Sequence, residues 1–184
     1  QQFLNDSEYE LLINSNGQGT VSSGLIPNSA DPSSPFHDVK VRQAMCYAID
    51  EKALAETFGY GLLQTTNQWA VPGSVTYNDD VKGYPYDPEK AKELLAEAGY
   101  PDGFDTVIHT GVANKDLFTA AGNMLSEVGI RCTINIVDDS TGNIMMTSGD
   151  WDGLIQHAAA ISPDLGLYMG RHLDVDGAYY AKGI

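Results

Sequence analysis

Apolar side chains recur at helical spacing in the first third of the chain. Asp38 is a good N-cap residue, and the stretch from there to about Asp50 carries its apolar positions on one face. A second stretch, Glu51 to Phe58, continues the helical spacing and stops at Gly59. The pattern therefore predicts two consecutive helices.

The clearest helix signal lies between Asp87 and Gly99. Asp87 offers a side-chain oxygen to the first turn, and Pro88 occupies the first helical position, where its missing N–H costs nothing. Gly99 supplies the left-handed residue that commonly ends a helix. The predicted helix runs from Pro88 to Ala98, and its buried stripe consists of Ala91, Leu94, Leu95 and Ala98.

Strand and helix patterns alternate in the second half of the chain. Apolar residues predict strands at Phe104–Thr110 and Ile130–Val137, with a helix between them that Asn114 caps and Gly129 ends. Three further elements, a short helix, a strand and a loop, are predicted at Thr141–Ser148, Asp152–Gln156 and His157–Ser162. Such alternation favours a sheet with helical crossovers.

The remaining segments contain short strands and long loops. Tyr9–Ile13 and Thr20–Ile26 are predicted strands, and the polar segment Asn14–Gly19 is a predicted turn between them. Pro27–Pro35 and Gly61–Gly83 lack any sustained period and are predicted loops. A loop as long as the second one is usually functional or packed onto something in a compact domain.

The chain is strongly acidic, with a formal net charge of −15 over 184 residues and a pI of about 4.3. This charge repels phosphate backbones and anionic lipid surfaces, so no nucleic acid is expected as a partner. No apolar run approaches the roughly 20 residues that cross a bilayer. Gln1 to Glu10 lack the basic start and apolar middle of a signal peptide.

Two cysteines, Cys46 and Cys132, fall at apolar positions of predicted elements. They form either a disulfide in an oxidising compartment or two small buried thiols. Buried thiols are favoured, because nothing in the sequence places the two sulfurs within bonding distance. No Cys or His spacing is typical of a metal site, so neither a metal site nor a cofactor is expected.

Two blocks of the sequence resemble a known protein family. The block from Pro35 to Asp50 begins Pro-Phe-His-Asp-Val-Lys-Val-Arg-Gln-Ala and ends Tyr-Ala-Ile-Asp. The block from Tyr84 to Phe104 begins Tyr-Pro-Tyr-Asp-Pro-Glu-Lys-Ala-Lys and ends Ala-Gly-Tyr-Pro-Asp-Gly-Phe. Both are similar to the family 5 solute-binding proteins of bacterial ABC importers. The resemblance extends over about Gly24 to Gly170 and includes Val128-Gly129-Ile130 and Ser148-Gly149-Asp150-Trp151-Asp152.

This resemblance implies an α/β lobe of the periplasmic-binding-protein type II fold, with a mixed sheet flanked by helices. Family members close two lobes on one solute, so residues 1–184 are expected to form a single lobe excised from a longer protein. The implied function is capture of a peptide-like or other small solute and its delivery to a membrane permease. The implied location is periplasmic or extracellular in a bacterium, as a monomer, with a lipoprotein anchor as one possibility.

Two other classes of function differ from a solute importer. A sensory or regulatory ligand-binding domain with the same lobe is the alternative to an importer component. An enzyme is not expected, since the sequence has no Gly-x-Ser-x-Gly elbow, phosphate-binding loop or dinucleotide fingerprint.

The family holds its solute where loops leave the strands at the cleft between the lobes, as ligands generally do in α/β sheets. By resemblance, the segments at those positions are Leu25–Ala30, Gln68–Gly73 and Gln156–Asp164. Peptide-binding members carry an aspartate in the third segment that pairs with the peptide ammonium. Aligning Pro163-Asp164 with the family's Pro-Asp puts Ile161 at that position.

An isoleucine cannot neutralise a buried ammonium group, and a buried unpaired charge is strongly unfavourable. Ile161 therefore argues against a free peptide amine held in the usual way. It favours an N-blocked peptide, a glycan fragment, an opine-like compound or a metal chelate.

Four further residues in these segments are candidate ligand contacts. Trp69 either stacks on a sugar ring, apolar group or cation, or covers a small core of its own loop. His157, expected at the start of a cleft loop, either hydrogen-bonds a solute or binds its metal, or is a satisfied, partly buried histidine. Ser162 and Asn28 orient polar ligand atoms or make local turns.

Overall fold

A computed structural model of the chain describes residues 21–68, 70, 74–160, 165–177 and 180–184. The strands in this part of the chain are β1 (Val21–Pro27), β2 (Phe104–Thr110), β3 (Ile130–Ile136) and β4 (Leu154–Ala160). The helices are α1 (Val39–Ala48), α2 (Glu51–Gly59), α3 (Pro88–Glu97), α4 (Lys115–Glu127), α5 (Asp139–Ser148) and α6 (Leu165–His172). The predicted strand Tyr9–Ile13 and turn Asn14–Gly19 lie outside the described residues.

The four strands form one mixed sheet in the order β1-β4-β2-β3. Strand β2 runs parallel to both β3 and β4, and β1 is antiparallel to β4. Helix α4 connects β2 to β3, which confirms the helical crossover predicted from the alternation of patterns. The fold is the predicted α/β lobe, a mixed sheet flanked by helices.

The two faces of the sheet are covered by different apolar clusters. Ile108 of β2 and Leu154 of β4 are paired in register and fully buried against α1, α3 and α4. The next residue of β4, Ile155, points to the opposite face because side chains alternate along a strand. There it belongs to a small cluster with Met146, Trp151 and Ala181.

Aspartate side chains begin four of the helices. Asp38, Asp50, Asp87 and Asp138 each accept a hydrogen bond from a backbone N–H in the first turn, at 2.7 to 3.0 Å. These bonds satisfy donors that the helix itself leaves without partners. Asn114 is the N-cap residue of α4, as predicted, but its side chain makes no capping hydrogen bond.

Two glycines bring the starts of β2 and β3 into contact. Gly103 has a φ of +71°, and a Cβ on it would lie 1.9 Å from the carbonyl oxygen of Gly129. Phe104 N–H donates to that same oxygen at 3.0 Å. A side chain at Gly103 therefore prevents the strand start from reaching its partner.

Strand β4 and helix α6 differ from the prediction. The strand was predicted at Asp152–Gln156, but β4 extends to Ala160, so His157 lies inside a strand and not at the start of a loop. The sequence Ala158-Ala159-Ala160 has little intrinsic strand preference, and its pairing with Val21, Ser22 and Ser23 of β1 overrides that preference. Helix α6 was not predicted.

Both cysteines are free thiols. Cys132 Sγ donates to the Ile130 carbonyl oxygen at 3.4 Å, and burial raises the pKa of its thiol to about 12. Burial also raises the pKa of Cys46, with a smaller contribution from the nearby Glu51 carboxylate. The predicted free thiols are confirmed, but both cysteines are only partly buried.

Candidate functional site

The carboxyl ends of the parallel strands meet at one edge of the sheet, where ligands of α/β proteins generally bind. Strand β4 extends past this edge. Leu154 and Ile155 pair with β2, whereas His157 to Ala160 pair with β1 alone within the described residues. We call this two-stranded projection, formed by residues 21–24 and 157–160, the carboxyl-edge ribbon.

Gln156 fixes the end of β2 to the base of the ribbon. Its Oε1 accepts a 2.6 Å hydrogen bond from Thr110 Oγ1 and a 3.1 Å bond from the backbone N–H of Gly111. Thr110 is almost fully buried, so its hydroxyl requires such a partner. The chain therefore leaves β2 in one fixed direction beside the ribbon.

Two histidines meet at the ribbon, one from β4 and one from α6. His157 Nε2 lies 3.2 Å from His172 Nδ1, and the two rings make an edge contact with centroids 5.0 Å apart and planes at 86°. His157 is 5% exposed, and His172, the last residue of α6, is half-buried. Helix α6 is thus attached to β4 through this pair of rings.

The electrostatic environment keeps both rings neutral near pH 7. Burial, and secondly the neighbouring His172, lower the pKa of His157 to about 4. Burial, and secondly the Arg171 guanidinium, lower the pKa of His172. Neutral imidazole is the form that accepts hydrogen bonds and binds metal ions.

Asn28 lies at the other end of β4, where three segments of chain meet. Its Nδ2 donates to the carbonyl oxygen of Trp151, and its backbone N–H donates to Gly153. The backbone N–H groups of Ser29 and Ala30 both donate to the carbonyl oxygen of Gly183. Asn28 is buried and closes a structural junction; its predicted contact with ligand remains a prediction.

A second polar group, centred on His109, lies on the same face of the sheet as His157. Nothing in the sequence predicted this group. His109 of β2 is buried, and its Nδ1 accepts a 3.0 Å bond from the Asn135 side-chain amide of β3. Its Nε2 is then the donor to both the carbonyl and the carboxylate oxygens of Asp152, each at 3.1 Å. The 26-residue and 43-residue separations of these partners gave no sequence signal.

Trp69, Ile161 and Ser162 lie outside the described residues, and their predicted roles as ligand contacts remain predictions. Of the five candidates, only Asn28 and His157 are described, and they belong to different groups of contacts. Sequence reasoning missed His172 as the neighbour of His157. The two are 15 residues apart, and only the unpredicted helix α6 brings them together.

A groove of about 540 Å³ lies apart from the carboxyl edge, on the long loop that follows α2. It is open to solvent and lined by residues that include Glu51, Thr65, Tyr77, Lys82 and Tyr84. None of the strand ends lines this groove. The groove and the carboxyl edge are therefore separate regions of the molecule.

The chain belongs to the family described as bacterial extracellular solute-binding proteins, family 5, whose model for the middle region matches residues 1–179. The resemblance predicted from sequence is thereby confirmed.

No helix among the described residues is both long enough and apolar enough to span a bilayer.

Parts of the chain are similar to particular curated proteins. The chain is 54% identical to heme-binding protein A of Haemophilus influenzae over 72 residues, 39% of this chain and 13% of that protein. It is 38% identical to glutathione-binding protein GsiB of Escherichia coli K12 over 107 residues, 56% of this chain and 21% of that protein.

Among solved structures, the periplasmic binding protein DppA of Helicobacter pylori, in complex with the peptide STSA, has a TM-score of 0.73 and 28% identity. The match covers 82% of this chain and 30% of that one. The matches thus span about a third or less of the length of each relative.

Proposed function

We propose that this chain is one lobe of a longer, two-lobed solute-binding component of an ABC importer. It captures a peptide-like or other small solute in the cleft between the lobes and presents it to a membrane permease, without covalent chemistry. Family membership and the short share of each relative that the chain spans support this proposal. The protein then works outside the bacterial cytoplasm, as a monomer.

The observation that carries the proposal is the carboxyl-edge ribbon. It extends the sheet past the carboxyl edge, where ligands of α/β proteins generally bind, and this supports a solute site on that side. Solute binding must favour the closed arrangement of the lobes by differential affinity, because only that difference signals occupancy to a permease.

The class of solute follows from Ile161 in this proposal. With isoleucine at the position where peptide-binding members place an aspartate, the cleft lacks the usual partner for a free peptide ammonium. We therefore favour an N-blocked peptide, a glycan fragment, an opine-like compound or a metal chelate over a free-amine peptide.

Native mass spectrometry of the longer parent protein, purified without denaturation, tests both the proposed capture of a solute and its proposed class. A retained non-peptide mass is the expected result and names the solute directly. A retained free-amine peptide contradicts the interpretation of Ile161 and leaves import in place. A matched uptake assay then asks whether deleting the gene stops entry of the retained solute into the cell.

The alternative is a sensory or regulatory protein that uses the same lobe to bind its effector. Under that alternative, deletion of the gene leaves uptake unchanged and alters transcription when the retained solute is supplied. Unchanged uptake with a changed transcriptional response therefore removes the importer proposal.

A further inference from the structure

The loop that follows α2 carries no charged side chain. The 22 residues from Thr57 to Asn78 contain no Asp, Glu, Lys, Arg or His, although 19% of the chain's residues are charged. This is the longest such run in the chain, and the next longest, residues 11–30, includes strand β1 of the sheet. The described part of the loop after α2 contains no strand and lies at the surface.

Large apolar side chains of this loop are exposed to solvent. Tyr60 is 65% exposed, Val75 is fully exposed, and Leu62 and Leu63 are each about half exposed. In the part of the chain that the structure describes, Tyr60 is the one residue other than glycine with a positive φ, at +51°. Glycine is the favoured residue in this left-handed conformation, so an exposed tyrosine there is typical of a functional position.

Two grooves and a pair of hydrogen bonds join these residues into one surface. The groove of about 540 Å³ and a second groove of about 360 Å³ share Thr65 in their linings. Gln68 connects the two arms of the loop, because its side-chain amide donates to the carbonyl oxygen of Asn78 at 2.9 Å and accepts from the Asn78 N–H at 3.0 Å. We call residues 60–68 and 74–78 the uncharged loop surface.

We propose that the uncharged loop surface docks this lobe on the extracytoplasmic face of the membrane-embedded permease, against a surface that is itself apolar and uncharged. This inference rests on the proposed function, and it names the part of the lobe that meets the partner. The centres of protein interfaces are depleted of charged residues and enriched in aromatic ones, and exposed apolar patches mark such sites.

The residues around the surface fit the same anatomy. Charged side chains, among them Glu51, Glu56 and Lys82, complete the linings of the two grooves. A polar rim around an apolar centre is the usual arrangement in protein interfaces.

The charge of the chain favours a membrane-embedded partner over other occupants. With a net charge of −15, the chain is repelled by anionic lipid headgroups. A face without carboxylates therefore allows the closest approach to a protein embedded in the bilayer. A second copy of the chain would bring two charges of −15 together, and this repulsion disfavours self-association through the same face.

The experiment places a photo-crosslinking residue on the uncharged loop surface of the full-length parent protein in its own bacterial cells. Val75→p-benzoylphenylalanine is compared with Ile144→p-benzoylphenylalanine, since Ile144 is equally apolar and 65% exposed but lies on α5. We expect irradiation to attach the Val75 variant to a membrane-spanning permease subunit, identified by mass spectrometry. The Ile144 variant should give at least about tenfold less of this product, because the centre of an interface carries most of its contacts.

A charge on the surface should then disrupt the contact. Adding Tyr60→Asp to the Val75 variant should lower the yield of the permease product at least about tenfold, as loss of a central tyrosine typically does. Aspartate tolerates the left-handed backbone better than most residues, so the fold should be kept, and thermal unfolding checks this. Ile144→Asp adds the same charge to α5 and should leave the yield unchanged.

A Val75 product with a second copy of the protein, with the other lobe of the parent chain, or with no protein overturns the inference. An equal yield with and without Tyr60→Asp also overturns it. These outcomes leave the importer proposal intact as long as deletion of the gene stops uptake of the retained solute. Conversely, uptake that survives the deletion contradicts the importer proposal, whatever the loop surface contacts.

Discussion

The two faces of the sheet are built from different kinds of residue. One face packs on α1, α3 and α4 through a large cluster that includes Phe36, Leu95, Ile108, Leu125 and Leu154. In the part of the chain that the structure describes, the other face has a small apolar cluster around Trp151 and Ile155, together with polar groups such as the buried His109 and His157. Among the described residues, the first face supplies most of the apolar burial, and the second holds buried polar side chains.

Neighbouring residues of β4 allow a direct test of this difference. Leu154 and Ile155 are equally buried, at 0% and 1% exposed, but they face opposite clusters. Replacing a buried Leu or Ile by Ala costs about 2–5 kcal/mol, and the cost depends on how well the surroundings collapse into the cavity. We expect Leu154→Ala to lie near the top of that range and Ile155→Ala near the bottom.

Urea unfolding followed by circular dichroism measures both losses in free energy. Because the two side chains are isomers on adjacent residues, each variant serves as the control for the other. An Ile155→Ala loss equal to or larger than that of Leu154→Ala shows that the second face is as tightly packed as the first, and the contrast between the faces then fails.

Gly183, near the end of the chain, allows a further test of how closely the second face of the sheet is packed. A Cβ on Gly183 would lie 2.2 Å from Cη2 of the buried Trp151 ring. The ring has little room to move, so Gly183→Ala should cost about 1–3 kcal/mol by overpacking. It should also loosen the junction in which Ser29 and Ala30 donate to Gly183.

Gly170 of α6 is the matched control, since no atom of the described residues lies within 4 Å of the position a Cβ would occupy there. Gly170→Ala should stabilise the protein by about 0.5–1 kcal/mol, because alanine favours a helix interior more than glycine does. Thermal unfolding of both variants gives the comparison. A Gly183→Ala protein as stable as the wild type means that the Trp151 region is not closely packed.

The contrast between the faces also explains what the sequence could predict. Helices α1 and α3 were predicted from apolar periodicity and from caps such as Asp87, because those signals are local. The parallel arrangement of β2, β3 and β4 followed from the alternation of patterns. These features belong to the well-packed face, where burial repeats with the period of the element.

The candidate site was predicted less completely because its contacts are long-range. The extension of β4 to Ala160 depends on pairing with β1, more than 130 residues away, and three consecutive alanines give no local sign of it. His157 was a candidate, but its neighbour His172 lies on helix α6, which was not predicted. A polar pair assembled by tertiary structure leaves no spacing motif in the sequence.

The smallest effect expected is a pH dependence of stability that comes from the second face. Burial holds the pKa of His157 near 4 in the folded protein, below the ordinary 6.5 that it recovers on unfolding. Between these values the unfolded chain binds more protons than the folded one. Stability is therefore unaffected by this group above about pH 6.5 and falls as the pH drops toward 4.

The loss from one such group is at most about 1.4 kcal/mol per pH unit and is a fraction of that between pH 7 and pH 6. We expect His157→Gln, which cannot titrate, to reduce the slope of unfolding free energy against pH in this range, measured by urea unfolding at several pH values. His37→Gln changes an exposed ring and should keep the wild-type slope. An unchanged slope in His157→Gln means that His157 is protonated as readily in the folded chain as in the unfolded one. Its ring would then lie in a more hydrated setting than the packing of β4 against α6 implies.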